Sequence, residues 1–404
     1  MNECPMGKRP AALAYPFTES ERLEVDPTYA RLRNGEGLAL VQPPFGGEGW
    51  LAARYEDVRT VLSDPRFSRA RALHEDVPRM VPFLPPPDTI MAMDPPDHNR
   101  LRKMLAQAFT MRRVEKMRPK VQSVVDRQID LLEKAGTPAD LMGDFAVPVS
   151  MTVITELLGV PYEDRDRFGT WVGIIFSASH PPEEAMAANE SLTGYLAGLV
   201  AQRRERPGDD LLSVLVEARD SGDRLTESEM VGLATAVLIA GFDVTSNHLG
   251  NMLYALLASP EHLGQLREDP GMVPGAVEEM LRYIRPATGE SIPRVATEDV
   301  ELGGVRIKAG EAVLPSTMSA NRDASVFENP DVMDFGRKHN PHIAFGYGAH
   351  HCVGAQLARL ELQVAIATLL ERLPGLRPAV PVAEVPWRDA RNVWSSPAEL
   401  KATW

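Results

Sequence analysis

Two cysteines in 404 residues, Cys4 and Cys352, are too few for a disulfide framework and fit a reducing compartment. Aromatics make up 6% of the chain, no Lys/Arg-dense stripe runs among them, and the net charge is −13. Nucleic acid is a poor partner for such a surface, whose acidity serves solubility. The opening MNECPMGKRPAALAYPF holds no apolar run of signal-peptide length, and no later stretch reaches the continuous apolar length of a membrane span. A cytoplasmic protein without a membrane partner is therefore expected. Neither an internal repeat nor a low-complexity linker divides the chain. A single domain over residues 1–404 is expected, with residues 1–15 as a flexible tail holding Cys4. A chain this long buries roughly three quarters of the surface its unfolded form exposes, enough to enclose a bulky apolar group besides its core.

What is present is mostly helical periodicity. Leu38–Gln42 and Trp50–Ala53 flank Pro43-Pro44-Phe45-Gly46-Gly47 and read as a β-hairpin. Helices are expected over Tyr55–Ser63, His98–Leu105, Met111–Lys134, Val147–Leu158, Arg165–Ser177, Glu183–Arg204 and Asp209–Arg219. The proline-rich stretch Phe67–Asp94 is too long and irregular for a simple connector, and such loops often carry function. Thr226 and Glu229 have the spacing of a capping box. The apolar run that follows continues to Ser259-Pro260, about thirty residues or ~50 Å of helix. Its middle, VGLATAVLIAGF, is apolar nearly all round and is expected to be buried. Short strands are expected at Val300–Val305 and Ala312–Ser316, an irregular stretch at Asn321–Gly348, and a last helix at Val353–Leu373. The fold class is mainly α with a minor β part.

The densest chemical signal is Phe345-Gly346-Tyr347-Gly348-Ala349-His350-His351-Cys352-Val353-Gly354. Gly346 and Gly348 permit tight turns and close approach to something flat. Cys352 sits at the expected start of a helix, where unpaired N–H groups and the dipole stabilise a thiolate. Read from the residues alone, Cys352 is an inert buried thiol, a nucleophile paired with His350 or His351 as in a cysteine hydrolase, or a metal ligand. A zinc site lacks the remaining ligands.

The segment resembles the cysteine-ligand signature of the cytochrome P450 family, F-G-x-G-x-H-x-C-x-G, with every fixed position matched. Glu279-Met280-Leu281-Arg282 is similar to the family's E-x-x-R helix, an ion pair that helps to hold the loop before the cysteine. Asp94-Pro95-Pro96-Asp97-His98-Asn99-Arg100-Leu101-Arg102 is similar to its haem-edge motif, with His98 and Arg102 four apart on one helical side. The likeness covers essentially the whole chain and is nearest to soluble bacterial members that tailor natural products. It implies the cytochrome P450 fold with the long central helix over a haem b. It further implies Cys352 as axial iron ligand, and His98, Arg102, Arg294 and His350 as propionate partners. Ala240, Gly241, Phe345 and Gly346 complete the expected cofactor contacts. The implied activity is a monooxygenase hydroxylating or epoxidising a bulky macrolide, polyketide or peptide metabolite. Electrons would come from a ferredoxin and its reductase to a monomer. Arg112, Arg113 and Lys116 are candidates for the docking face, or an ordinary solvated helix face.

One position departs from the family pattern. In Ala240-Gly241-Phe242-Asp243-Val244-Thr245, Asp243 matches the family's proton-delivering acid, but Val244 stands where Thr or Ser is usual. Thr245 does not simply substitute, because one residue along a helix rotates a side chain by about 100°. Either a substrate hydroxyl or an ordered water supplies the missing link, or the enzyme performs oxidative C–C or C–N coupling without inserting oxygen. The first is the primary expectation. A haem-thiolate sensor without turnover is the reading from another class. The resemblance further implies a substrate pocket formed by Ala70–Met91, Ala236–Val244 including Val244, Ala287–Ile292 including Ala287, Glu290 and Ile292, and Val393-Trp394. Glu290 would there meet a cationic substrate group, such as an amino sugar, or pair with a protein cation, or face solvent.

Overall fold

The computed structural model describes residues 10–17, 21–35, 37–80, 84, 87–176, 180–220, 225–285, 293–388 and 395–404. Helices dominate it: α1 (Pro27–Asn34), α2 (Tyr55–Ser63), α3 (Asp97–Ala108), α4 (Met111–Ala135), α5 (Val147–Leu158), α6 (Arg165–Phe176), α7 (Pro182–Glu205), α8 (Leu211–Asp220), α9 (Glu227–Ala258), α10 (Pro260–Glu268), α11 (Val273–Tyr283), α12 (Thr317–Ala320) and α13 (Ala355–Arg372). The strands are β1 (Leu13–Ala14), β2 (Leu38–Gln42), β3 (Gly49–Ala52), β4 (Phe67–Ser68), β5 (Ala139–Asp140), β6 (Arg294–Ala296), β7 (Val300–Leu302), β8 (Val305–Ile307), β9 (Ala312–Pro315), β10 (Arg377–Pro378) and β11 (Lys401–Thr403). Each helix expected by range lies within three residues of its expected ends. The sequence reading passed over α1, although Asp26 caps it by accepting the Thr28 N–H at 2.8 Å and Pro27 opens it.

The main sheet has the order β1-β2-β3-β9-β6-β4. The hairpin β2–β3 is antiparallel, pairing Leu38 with Ala52 and Leu40 with Trp50. Leu13 pairs with Val41 and Tyr15 is buried, so this part of the tail expected over residues 1–15 is built into the fold, and residues 1–9 lie outside the described residues. At the other edge β4 pairs antiparallel with β6, Ser68 opposite Val295, which sets Arg69 beside Arg294. Two short β elements, β10-β11-β5 and the hairpin β7–β8, lie outside this sheet.

The helical body is organised around α9, which packs against α5, α7, α8, α10 and α13. Its start is fixed by the expected capping box: Thr226 Oγ1 accepts the Glu229 N–H at 3.1 Å and Glu229 returns the bond to the Thr226 N–H at 2.8 Å. Glu229 also accepts from Arg100, tying α3 to α9. By length and composition α9 could cross a membrane. Burial of Met230–Leu238 and Thr245–Leu257 on most of their faces explains that apolar content within the body of the protein. The middle differs from expectation. Ala240 is exposed, and Ala236, Ile239, Gly241, Asp243 and Val244 are half-buried. Positions 236, 239, 240, 243 and 244 follow helical spacing, so one stripe of an otherwise buried helix is open.

His248 lies in the buried half of α9, its Nδ1 without a hydrogen-bond partner. Burial pushes its imidazole pKa down to about 4, with nearby His342 adding to the shift. An unfolded chain takes up a proton on this residue below about pH 6.5, and the folded chain does not until pH falls much further. Folding stability should therefore fall as pH drops, by about 2 kcal/mol from this residue between pH 7 and pH 5. Urea unfolding of the wild type and of His248→Phe at both values measures this share. An unchanged pH slope in the variant would contradict it.

Candidate functional site

The irregular segment between β9 and α13 is held from beneath by α11. Glu279 and Arg282 are one turn apart and form a bidentate pair, with bonds of 2.8 and 2.7 Å and side chains 1% and 0% exposed. Arg282 further donates to the carbonyls of Asn321 at 2.9 Å, Pro330 at 2.7 Å and Val332 at 3.1 Å. Glu279 accepts from Arg337 at 3.0 Å, Asn340 at 3.2 Å and the Asp334 N–H at 2.9 Å. The expected E-x-x-R pair thus anchors the segment leading to the cysteine.

That segment ends in a tight loop. Gly346 has φ +74° and Gly348 φ +72°, a left-handed region that disfavours any side chain. A Cβ on Gly348 would also strike the backbone of Leu62 and Ser63, so its close approach is to the end of α2 rather than to a flat group. The Cys352 N–H donates to the Phe345 carbonyl at 2.8 Å, closing the loop. Cys352 lies three residues before Ala355, so helix α13 begins slightly later than expected, with Gly354 as its cap. The Gly354 N–H bonds to the thiol, and Arg102 and Arg359 stabilise its thiolate. Desolvation by the surrounding protein outweighs them and pushes the thiol pKa up. The sulfur nevertheless has an open side, since Cys352 is solvent-accessible.

A second cluster lies around the start of α3. The His98 and His350 rings stand 4.1 Å apart at 42°. His98 is buried, and His350 has its Nε2 buried without a hydrogen-bond partner. Arg294 and Arg69 are 4% and 7% exposed. Arg69 donates to the Met91 carbonyl at 2.8 and 2.6 Å, and its N–H bonds to Asp94 at 2.8 Å. Desolvation holds Arg294 down to about 10, Arg69 well below its ordinary value, and His350 far below the usual imidazole range. Asp94 is the carboxylate that Arg69, Arg294 and His98 share. Half-buried Arg102 donates to the His351 carbonyl. Positive groups outnumber the carboxylate they share, and an orphaned imidazole nitrogen lies among them. Such a site fits an incoming dianion.

The residues present therefore fit a haem. The open sulfur of Cys352 supplies a soft iron ligand, and the cation cluster suits two propionates. Among the described residues no group of three His, Cys, Asp or Glu side chains could hold a bare metal ion, so a zinc reading gains no support there.

On α9, Asp243 and Val244 share the open stripe with Ala240, whereas Thr245 is buried away from it, as the helical rotation requires. Asp243 Oδ1 accepts from Asn247 at 3.0 Å, and Asn247 Oδ1 accepts from Ser396 at 2.6 Å. The space that a Gly241 Cβ would take is filled by Ile154 of α5, so its small size serves helix packing rather than an open groove. Phe345 is half-buried beside the loop. Ala287, Glu290, Ile292, Val393 and Trp394 lie outside the described residues. Arg112 and Lys116 are exposed, while Arg113 is half-buried and 3.9 Å from Asp209. Sequence reasoning missed Arg69, Asn247 and Ser396. Arg69 is one of three arginines in Arg66–Arg71, and only the β4–β6 pairing shows that it turns inward.

The family model described as Cytochrome P450 matches residues 51–374. The nocardicin C N-oxygenase of Nocardia uniformis subsp. tsuyamanensis is 49% identical over 97% of this chain and 98% of its own. The mycinamicin IV hydroxylase/epoxidase of Micromonospora griseorubida is 43% identical over 97% of this chain and 98% of its own. The crystal structure of a cytochrome P450 hydroxylase from the leinamycin pathway of Streptomyces atroolivaceus S-140 superposes with a TM-score of 0.91 at 48% identity, covering 97% of this chain and all of that one.

Removing Arg282 leaves Glu279 buried with less compensation and three loop carbonyls without that donor. Arg282→Ala should cost about 3–5 kcal/mol of stability, the usual penalty for breaking a buried pair. Chemical unfolding monitored by circular dichroism measures it. A loss below about 1 kcal/mol, the range of a surface ion pair, would show that the loop is held by other means.

Proposed function

The chain belongs to the cytochrome P450 family, and on that premise we propose that it hydroxylates or epoxidises a bulky secondary metabolite as a haem-thiolate monooxygenase. The observation that carries this reading is the open thiol of Cys352 in a loop closed by its own backbone, with a cation-rich, anion-poor cluster around His98 and His350. Cys352 would be the axial ligand of a haem b. His98, Arg102, Arg294 and His350 would hold its propionates, with Arg69 beside Arg294 adding positive charge. When bound, such a haem activates dioxygen for attack on unactivated C–H or C=C bonds. The chain's own residues bind and orient the substrate, exclude water and deliver protons. Asp243 is placed on the open stripe of α9 and oriented by Asn247, which suits an acid that passes protons inward.

The enzyme is read as a single-domain, cytoplasmic monomer that draws electrons from a ferredoxin and ferredoxin reductase. Its substrate is a bulky natural product, a macrolide, polyketide or peptide; the relatives are named for nocardicin C and mycinamicin IV. Glu290 is a candidate partner for a cationic group on it. Val244 supports a second reading, oxidative coupling without oxygen insertion, because an apolar side chain stands where the family carries an alcohol.

Turnover under labelled dioxygen separates these readings. Donor-driven oxygen consumption should put one labelled atom into the product, and Asp243→Asn should lower turnover on the order of 10² with substrate affinity unchanged. A coupled product without label would favour the second reading. Ligand binding with no donor-driven turnover would overturn both in favour of a sensor.

A further inference from the structure

Helix α11 carries two adjacent carboxylates with different neighbours. Glu279 faces the Arg282 network, while Glu278 faces α13 and the loop before Cys352. Arg359 of α13 donates to Glu278 through Nε at 2.7 Å and Nη2 at 3.0 Å. His342 Nε2 lies 3.0 Å from the same carboxylate, and its side chain is 2% exposed. The Ala344 N–H donates to His342 Nδ1 at 3.3 Å. With Nδ1 an acceptor, it is Nε2–H that donates a hydrogen bond to Glu278.

Arg359 is also placed toward the thiol. Its guanidinium lies over the Phe345 ring, 4.5 Å from the centroid, and the Phe345 carbonyl accepts the Cys352 N–H. It is close enough to favour the Cys352 thiolate electrostatically. Against the penalty of burial, His342 and Arg359 hold the Glu278 carboxyl well below its usual range, which keeps it an anion. The charge behind the sulfur is then the balance of the Arg359 cation and the Glu278 anion, with the His342 ring fixing the geometry.

We propose that the Glu278–Arg359 pair, oriented by His342, is a charge-balancing and positioning device behind Cys352 that sets the reduction potential of the haem the thiolate holds. This rests on the haem-thiolate reading. Arg359 favours negative charge on the sulfur and on the reduced haem, and Glu278 offsets it. Each partner therefore acts on the potential with an opposite sign, which a purely structural pair does not do. An unbalanced unit charge at about 10 Å through an effective dielectric of about 20 shifts a one-electron equilibrium by about tenfold. Partial exposure of both side chains makes that an upper value.

The test is spectroelectrochemical titration of substrate-free holoprotein at one fixed pH, after recording the reduced carbon monoxide spectrum of each variant. Glu278→Gln keeps the side chain's shape and one acceptor oxygen and removes the anion. It should raise the reduced-to-oxidised ratio at fixed poise by up to about tenfold, a positive shift of up to about 59 mV. Arg359→Met should move the potential in the negative direction, and Arg359→Lys, which keeps the charge, should stay near wild type. If Arg359→Met does not fold, the sign for Glu278→Gln and the wild-type-like value for Arg359→Lys still decide. Shifts of one common sign, or none, in proteins with an intact thiolate spectrum would overturn the tuning alone. A wild type without the thiolate spectrum would overturn the haem-thiolate reading and the tuning with it.

Discussion

The structure depends on one constraint, an irregular chain segment that must be tied to the buried face of α11. Residues 321–347 have no helix or strand, and burial is confined to a few of them, Asn321–Asp323, Phe327, Phe335 and Ile343. Buried carbonyls and N–H groups need partners, and here side chains supply what secondary structure does not. Arg282 feeds three carbonyls, Glu279 accepts from one backbone N–H and from two side chains besides Arg282, and the Asn321 side chain accepts from the Ile343 N–H at 2.8 Å. A fully buried ion pair is a poor source of net stability, since desolvation consumes most of the attraction. Its value lies in direction. It fixes where the segment runs, and so where the cysteine loop emerges.

From that anchor the remaining features follow in order. The loop turns through two left-handed glycines and closes on the Phe345 carbonyl, leaving the Cys352 sulfur open on one side. The sheet edge β4–β6 and the start of α3 gather Arg69, Arg294, His98 and His350 around Asp94. An open stripe interrupts an otherwise buried α9 at helical spacing and carries Asp243 and Val244. Buried positive charge with too little negative charge is unfavourable by itself. It becomes favourable beside a dianionic group, which makes this cluster suited to retaining a haem through its propionates.

Much of this was legible in the sequence because its strongest signals are local. The capping box at Thr226 and Glu229, the hairpin at Leu38–Ala52 and the helical stripes need only a few neighbouring residues to be read. The same holds for the Phe345–Gly354 loop. What was missed depends on tertiary pairing. Arg69 turns inward through the register of β4 against β6, and Ser396 reaches Asn247 across 149 residues of chain. Gly241 read as an open groove because small residues mark close approach, but the approaching group is Ile154 of α5. The central helix read as wholly buried because hydrophobic composition does not distinguish packing against protein from lining an internal space.

The most direct measurement is the absorption spectrum of the reduced holoprotein with carbon monoxide, compared with its Cys352→Ser variant. A haem held by a thiolate should give a Soret band shifted far to the red in the wild type and lose that band in the variant. Absence of haem absorbance after expression with ample haem supply would contradict the assignment and return Cys352 to the role of a nucleophile. A red-shifted band retained in Cys352→Ser would contradict it equally, by showing that another residue holds the iron.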